Sequence, residues 1–234
     1  MPGSDHLSLK VDDFDVDGAV REAFERMPQH TRAGFLGRTL VAGAAALGAA
    51  VAWPTAASAA RDSSDITILN FALSLEYLQA SFYTEAEEIG ALRGALAHQA
   101  HVVGMHERAH VKAFKQLLGP AAIKEPTFNF HGVTENPDAF RSTAVAFEDL
   151  ATAAYKEQAP LIKSKSYLAG ALAIHSVEAR HAAWIRRLAG FLPSAHAFDE
   201  PLSDAKVVQI VNSTHFVTLK DPQTSMEAKP RFTG

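Results

Sequence analysis

Apolar residues recur at intervals of three and four along four long stretches of this chain, the spacing that lines one face of an α-helix. The first stretch runs from about Asp65 to Ile89, with Leu69, Ala72, Leu73, Ala80 and Tyr83 on its apolar face. Ser63 or Ser64 is its expected cap, and Gly90 its stop. The second runs from about Leu92 to Leu118 and halts at Gly119-Pro120. Asn136-Pro137 opens the third, a capping side chain followed by proline at the first helical position, and the stretch reaches about Gln158. The fourth spans about Ser166 to Ala189 and stops at Gly190. A shorter amphipathic piece near Ser203 to Val211 precedes a polar tail. Thr127-Phe128-Asn129-Phe130 is the only strand candidate before that tail. The pattern predicts an all-α four-helix bundle with a short C-terminal helix.

The first sixty residues follow another pattern. Residues 1–30 are polar and acidic, with Asp12, Asp13, Asp15 and Asp17 close together. Thr31-Arg32-Ala33-Gly34-Phe35-Leu36-Gly37-Arg38 then leads into an uncharged stretch from Leu40 to Trp53, closed by Pro54 and Ala57-Ser58-Ala59. A basic flank, a short apolar run and a small-x-small site describe an export signal. The run falls short of the roughly 20 apolar residues of a membrane span, so no stable span is expected after cleavage near Ala59. The string is similar to the twin-arginine export motif, with Ala33 where the second arginine would stand. The reading divides the chain into a leader and export signal at 1–59, a helical domain at 60–191 and a C-terminal extension at 192–234. It places the mature protein outside the cytoplasm.

Composition narrows the chemistry. Hydrophobic residues make up 47% of the 234 and charged residues 21%, the balance of an ordinary folded domain. The net charge of −4, with no basic stripe, gives no sign of a nucleic-acid partner. Cysteine is absent, which removes disulfides, cysteine nucleophiles and thiolate metal sites.

Two strings then stand out, Glu107-Arg108-Ala109-His110 and Glu178-Ala179-Arg180-His181. On a helix, residues three apart share a face, with Cβ atoms roughly 5–6 Å apart, so each pair can grip one metal ion through a carboxylate oxygen and an imidazole nitrogen. Taken alone the motif is weak. Placement strengthens it. Glu76 is flanked at helical spacing by Ala72, Leu73 and Ala80, and Glu148 by Ala144, Val145 and Thr152. Glu107 shares its face with Val103, Val111 and Phe114, and Glu178 shares its own with Ala171, Ile174, Ala182 and Ile185. All four glutamates therefore belong to faces that should be buried. A buried carboxylate is costly unless it is neutralised, paired or metal-bound. Arg141, two turns before Glu148, is the nearest cation on such a face.

The chain also repeats. Glu76 to Glu148, Tyr83 to Tyr155 and Glu85 to Glu157 are each 72 residues apart, while Glu107 to Glu178, His110 to His181 and Gly119 to Gly190 are each 71. The halves read as two copies of one helical hairpin. Within each hairpin the two glutamates lie equally far from the turn, so antiparallel packing sets all six side chains at one height. The linker between Gly119 and Pro137 is long enough to turn tightly or to cross the bundle. The repeat favours a long crossover between helices two and three. Such a bundle brings one Glu from each of two helices together with Glu-x-x-His from the other two, the di-metal carboxylate arrangement. Tyr83 and Tyr155, two turns beyond the lone glutamates, are candidates to hydrogen-bond ligands or carry an electron, or else pack the bundle. His175 is a neighbour of Glu178 or an ordinary satisfied histidine. His98, His101 and His106 read as a solvated helix side, and His131 as a cap or an approach to the site.

These strings resemble the ferritin-like superfamily, and more narrowly the exported bacterial ferritin-like domain proteins, some called desiccation-related. The match rests on Leu75-Glu76-Tyr77-Leu78-Gln79-Ala80-Ser81-Phe82-Tyr83, Glu107-Arg108-Ala109-His110-Val111, Val177-Glu178-Ala179-Arg180-His181-Ala182-Ala183 and Ala197-Phe198-Asp199-Glu200-Pro201-Leu202. The resemblance implies a ferritin-like antiparallel bundle. It implies Glu76 and Glu148 as terminal ligands, Glu107 and Glu178 as bridging ligands, and His110 and His181 as nitrogen ligands. Gln79 stands where similar sequences often carry Glu and is left out of that set. The expected cofactor is a pair of iron ions, with manganese as the alternative. Expected partners are Fe(II) and dioxygen or peroxide, and a homodimer is allowed. Three functions compete: a di-iron oxidase or ferroxidase, a non-catalytic structural or desiccation-protective bundle, and a manganese site that disproportionates peroxide.

Overall fold

A computed structural model describes residues 62–220. The expected leader and export signal at 1–59, and the tail from 221, lie outside the described residues. Five α-helices follow one another, α1 Ser63–Ile89, α2 Gly94–Leu118, α3 Pro137–Gln158, α4 Lys165–Leu188 and α5 Asp204–Ser213, with short 3₁₀ turns at Gly119–Ala121, Val133–Glu135 and Ala159–Leu161. No strand occurs among the described residues.

Local chemistry sets the ends. The cap of α1 is Asp62, not Ser63 or Ser64: its carboxylate accepts the Ser64 N–H at 2.8 Å. Gly90 ends α1 in the left-handed region at φ 65°, where a side chain would be strained. α2 begins at Gly94, two residues later than expected. The Asn136 side chain accepts the N–H groups of Asp138 and Ala139, as its place before Pro137 requires. α4 closes in a Schellman turn, with Phe191 N–H bonded to Arg186 O and Gly190 N–H to Arg187 O.

Hydrogen bonds between elements trace the topology. Asn70, near the start of α1, donates to Ala121 O just past the end of α2, so these helices are antiparallel. The linker then climbs along α1: Tyr77 meets Ile123 O, Ser81 meets Glu125, and Thr134 donates to Glu85 near the end of α1. The linker is thus the long crossover, and α3 starts at the level where α1 ends. At the other end, Lys163 and Ser164 N–H groups both bond the Asp65 carboxylate, returning the α3–α4 turn to the start of α1. α2 and α3 are therefore parallel, and each hairpin is antiparallel within itself.

The strand candidate is part of this crossover. Phe128 and Phe130 stack at 5.9 Å, and Phe130 meets Phe82 edge-on at 5.4 Å, so apolar packing holds the segment extended without a partner strand. Asn129 N–H bonds Phe216 O, and Phe130 O accepts the Val133 N–H in the turn that follows. His131 neither caps a helix nor nears the glutamates; its Nε2 faces His215 O at 3.2 Å. Val207, Val208 and Val211 of α5 enter the same core as Phe82, Phe140 and Phe147. A second apolar cluster around Leu73, Phe114, Tyr167 and Ile174 fills the other end of the bundle. Among the described residues no helix is long and apolar enough to cross a membrane.

Candidate metal centre

Between the two apolar ends lies one polar layer. Each long helix delivers one glutamate to it: Glu76 from α1, Glu107 from α2, Glu148 from α3 and Glu178 from α4, all 0% exposed. His110 and His181 follow three residues after Glu107 and Glu178 and so share their faces. His110 Nδ1 stands 3.1 Å from Glu76 Oε2, 3.2 Å from Glu178 Oε1 and 3.6 Å from Glu107 Oε2. His181 Nδ1 stands 3.0 Å from Glu107 Oε1, 3.4 Å from Glu148 Oε2 and 3.8 Å from Glu178 Oε2. All six residues singled out in the sequence are in one place.

They form two overlapping groups, Glu76, Glu107, His110 and Glu178, and Glu107, Glu148, Glu178 and His181. In each group one donor atom per residue lies within 4.8 Å of the others. Glu107 and Glu178 belong to both. Both oxygens of Glu107 and of Glu178, Oε2 of Glu148 and Nδ1 of His181 are shut off from water without a hydrogen-bond partner. Convergent oxygen and nitrogen donors left without hydrogen bonds at such depth suit a metal cation.

The electrostatics carry the same tension. Burial pushes Glu107 well above the usual carboxylate range, and the charges of Glu178 and Glu76 add to it. Burial likewise raises Glu148. Burial would raise Glu178 too, but His110 and His181 hold it down at about 2. Burial disfavours both imidazolium ions, yet the carboxylates override it. Glu76 leads at His110, and Glu107 followed by Glu148 pushes His181 up to about 12. Arg141 takes no part; it pairs with Asp138 at 2.6 Å.

Tyr83 Oη donates to Glu148 Oε1 at 2.6 Å, and Tyr155 Oη to Glu76 Oε1 at 2.5 Å. Each tyrosine thus serves the glutamate of the other hairpin. Burial drives both phenols well above their ordinary range, so they remain protonated donors. Gln79 is buried and belongs to neither group. Burial lowers the pKa of half-buried His175, which is also outside both groups.

The solvated reading fits His98 and His101 but needs correction at His106. His101 pairs with Glu87, and His98 lies edge-on to Trp184. His106, though largely exposed, stacks on His181 with ring centroids 5.1 Å apart and sets its Nδ1 2.8 Å from His181 Nε2. Burial holds the His106 pKa down, and the His181 and His110 charges add to the effect. In the sequence only its i, i+4 relation to His110 hinted at a role. The contact with α4 depends on how the hairpins pack.

No curated protein matches the chain. A family model described as a ferritin-like domain matches residues 64–190.

Proposed function

The chain belongs to the ferritin-like domain family, and from that premise we propose that its bundle holds a pair of iron ions and oxidises Fe(II) with dioxygen or peroxide. One observation carries this reading: two four-residue donor groups that share Glu107 and Glu178. Glu76 and His110 would serve one ion, Glu148 and His181 the other, and the shared glutamates both. Charge supports the pair. Four carboxylates against two divalent cations leave a neutral core once both imidazoles are deprotonated, as ligation requires. A ferrous pair supplies two electrons, enough to take dioxygen to peroxide or peroxide to water.

The protein's own part is to hold and orient. Four helices fix the carboxylates without loops, and apolar packing on both sides keeps bulk water out. The Tyr83 and Tyr155 hydroxyls fix one oxygen of Glu148 and Glu76, so that the other oxygen turns toward His181 and His110 inside the cluster. The export reading of residues 1–59 would put this chemistry outside the cytoplasm, in a stress-protective setting. Fractionation with N-terminal sequencing of the mature chain checks it.

Anaerobic loading with Fe(II), followed by metal analysis and by oxygen and peroxide assays, tests the function. About two irons per chain and oxidant consumption are expected, and neither in Glu107→Ala/Glu178→Ala. Unchanged metal content in that variant would sink the site. Iron bound without turnover would favour a structural bundle, and peroxide disproportionation with Mn(II) alone would favour manganese.

A further inference from the structure

The two imidazoles of the cluster are held differently. His110 turns Nδ1 toward the carboxylates, and 13% of its side chain reaches solvent. His181 turns Nδ1 toward the carboxylates as well and is 3% exposed. Behind it, Nε2 meets Nδ1 of His106 at 2.8 Å, with the rings 15° from parallel.

One of those two nitrogens must carry the hydrogen between them, because two bare lone pairs at that distance repel. Nδ1 of His181 needs its lone pair if it is to ligate. Its hydrogen then belongs on Nε2 and is donated to His106 Nδ1. The remaining hydrogen of His106 falls on its Nε2. The 71-residue repeat puts Val177 where the second half would need a counterpart of His106. Valine can neither donate nor accept, so no equivalent brace reaches His110 from that position.

We propose that His106 is a positioning residue that fixes the tautomer and tilt of His181 and makes the two metal positions unequal, the one served by Glu107, Glu148, Glu178 and His181 holding its ion more tightly. This rests on the metal-pair reading above and adds an order of affinity that the near-symmetry of the ligands hides.

Co(II) titration of the full chain, followed by visible absorption and calorimetry, tests it, with circular dichroism as a check on folding. The wild type is expected to take two ions in two separable steps. His106→Ala and His106→Phe each weaken the tighter step roughly 10- to 100-fold, the usual effect of removing a ligand's hydrogen-bond partner, and leave the weaker step unchanged. His106→Asn, whose carboxamide oxygen falls near the place of Nδ1, restores the tighter step and its absorption band. The proposal is overturned if Ala and Phe variants bind as the wild type does, or if Phe alone restores binding, which would make the contact one of packing. It is overturned equally if the wild type takes both ions in one indistinguishable step. A folded wild type that binds no Co(II) removes the metal-pair reading itself, a result distinct from the others.

Discussion

Tyr83 and Tyr155 each reach across to the opposite hairpin, and each fully buried hydroxyl has one task there. Removing the Tyr83 hydroxyl leaves Glu148 buried with neither oxygen hydrogen-bonded, since Oε2 has no hydrogen bond of its own. Stranding a buried acceptor costs about 1–3 kcal/mol. Tyr83→Phe and Tyr155→Phe are therefore expected to lower the stability of the metal-free protein by about that amount, read from denaturant midpoints at unchanged slope. A midpoint equal to wild type would show that the hydroxyls do nothing for the carboxylates. The histidines give a prediction in pH. With His181 pushed up to about 12 and His110 raised alongside it, both are imidazolium in the metal-free protein at neutral pH. An imidazolium has no lone pair for a metal, so each ion must expel about one proton from its histidine. Affinity should then rise with pH and fall as protons compete. Calorimetry in buffers of different ionisation enthalpy measures the protons released, and zero release would contradict the ligation of His110 and His181.

At the scale of elements, α1 and α2 approach closely at Gly104. A Cβ there would overlap Glu87 Oε1, a flexible side-chain end that can shift, and would lie 2.9 Å from Arg108 Nη1 and 3.0 Å from Tyr83 Cβ. Arg108 can swing away, at the loss of its contacts with Glu87 and Thr84. Tyr83 Cβ cannot move without shifting the phenol that holds Glu148. Overpacking costs about 1–3 kcal/mol, while alanine in a helix returns up to about 1 kcal/mol relative to glycine. Gly104→Ala is expected to lower Tm by a few degrees and to weaken metal binding, although the same change on an open helix face would raise Tm. A raised Tm would show that the helices have slack at this crossing. The glycine's role lies in contacts between helices, which periodicity does not express. The same division separates what could be read early from what could not. The start of α3 is legible to the residue because Asn136 and Pro137 act within one turn. The cap of α1 is not decided by sequence, because Asp62, Ser63 and Ser64 all carry capping oxygens and the approach of the chain chooses among them. Linker length was silent on the crossover, which the ties from Asn70 to Ala121 and from Thr134 to Glu85 establish. His106 escaped because its partner sits 75 residues away on α4.

For the whole molecule, the polar layer was legible because burial and repetition are both written along the chain: four glutamates on apolar faces, in two pairs whose members lie 72 and 71 residues apart. The layer is costly to stability at the centre of the fold. Without metal, four buried carboxyl groups crowd two imidazolium ions, with Glu107 held well above the usual carboxylate range and neither Glu107 nor Glu178 keeping a hydrogen-bonded oxygen. Replacing such a cluster with apolar side chains of similar volume is often neutral or stabilising. Glu107→Leu with Glu178→Leu would leave Glu76 beside His110 and Tyr155, and Glu148 beside His181 and Tyr83. Two carboxylates would then balance two imidazolium ions, and the centre would join the apolar ends. The metal-free double variant should be more stable than metal-free wild type by about 1–4 kcal/mol, or roughly 2–4 °C in Tm for each kcal/mol. Wild type should regain the difference when loaded, since a ligand at a hundred times its Kd adds about 2.7 kcal/mol. The variant should not respond to metal. Thermal scans of both proteins, with chelator and with Co(II) or Fe(II), provide the four values. If chelated wild type is the more stable, the carboxylate layer holds the fold together by itself, and metal is not what the cluster was built to accommodate.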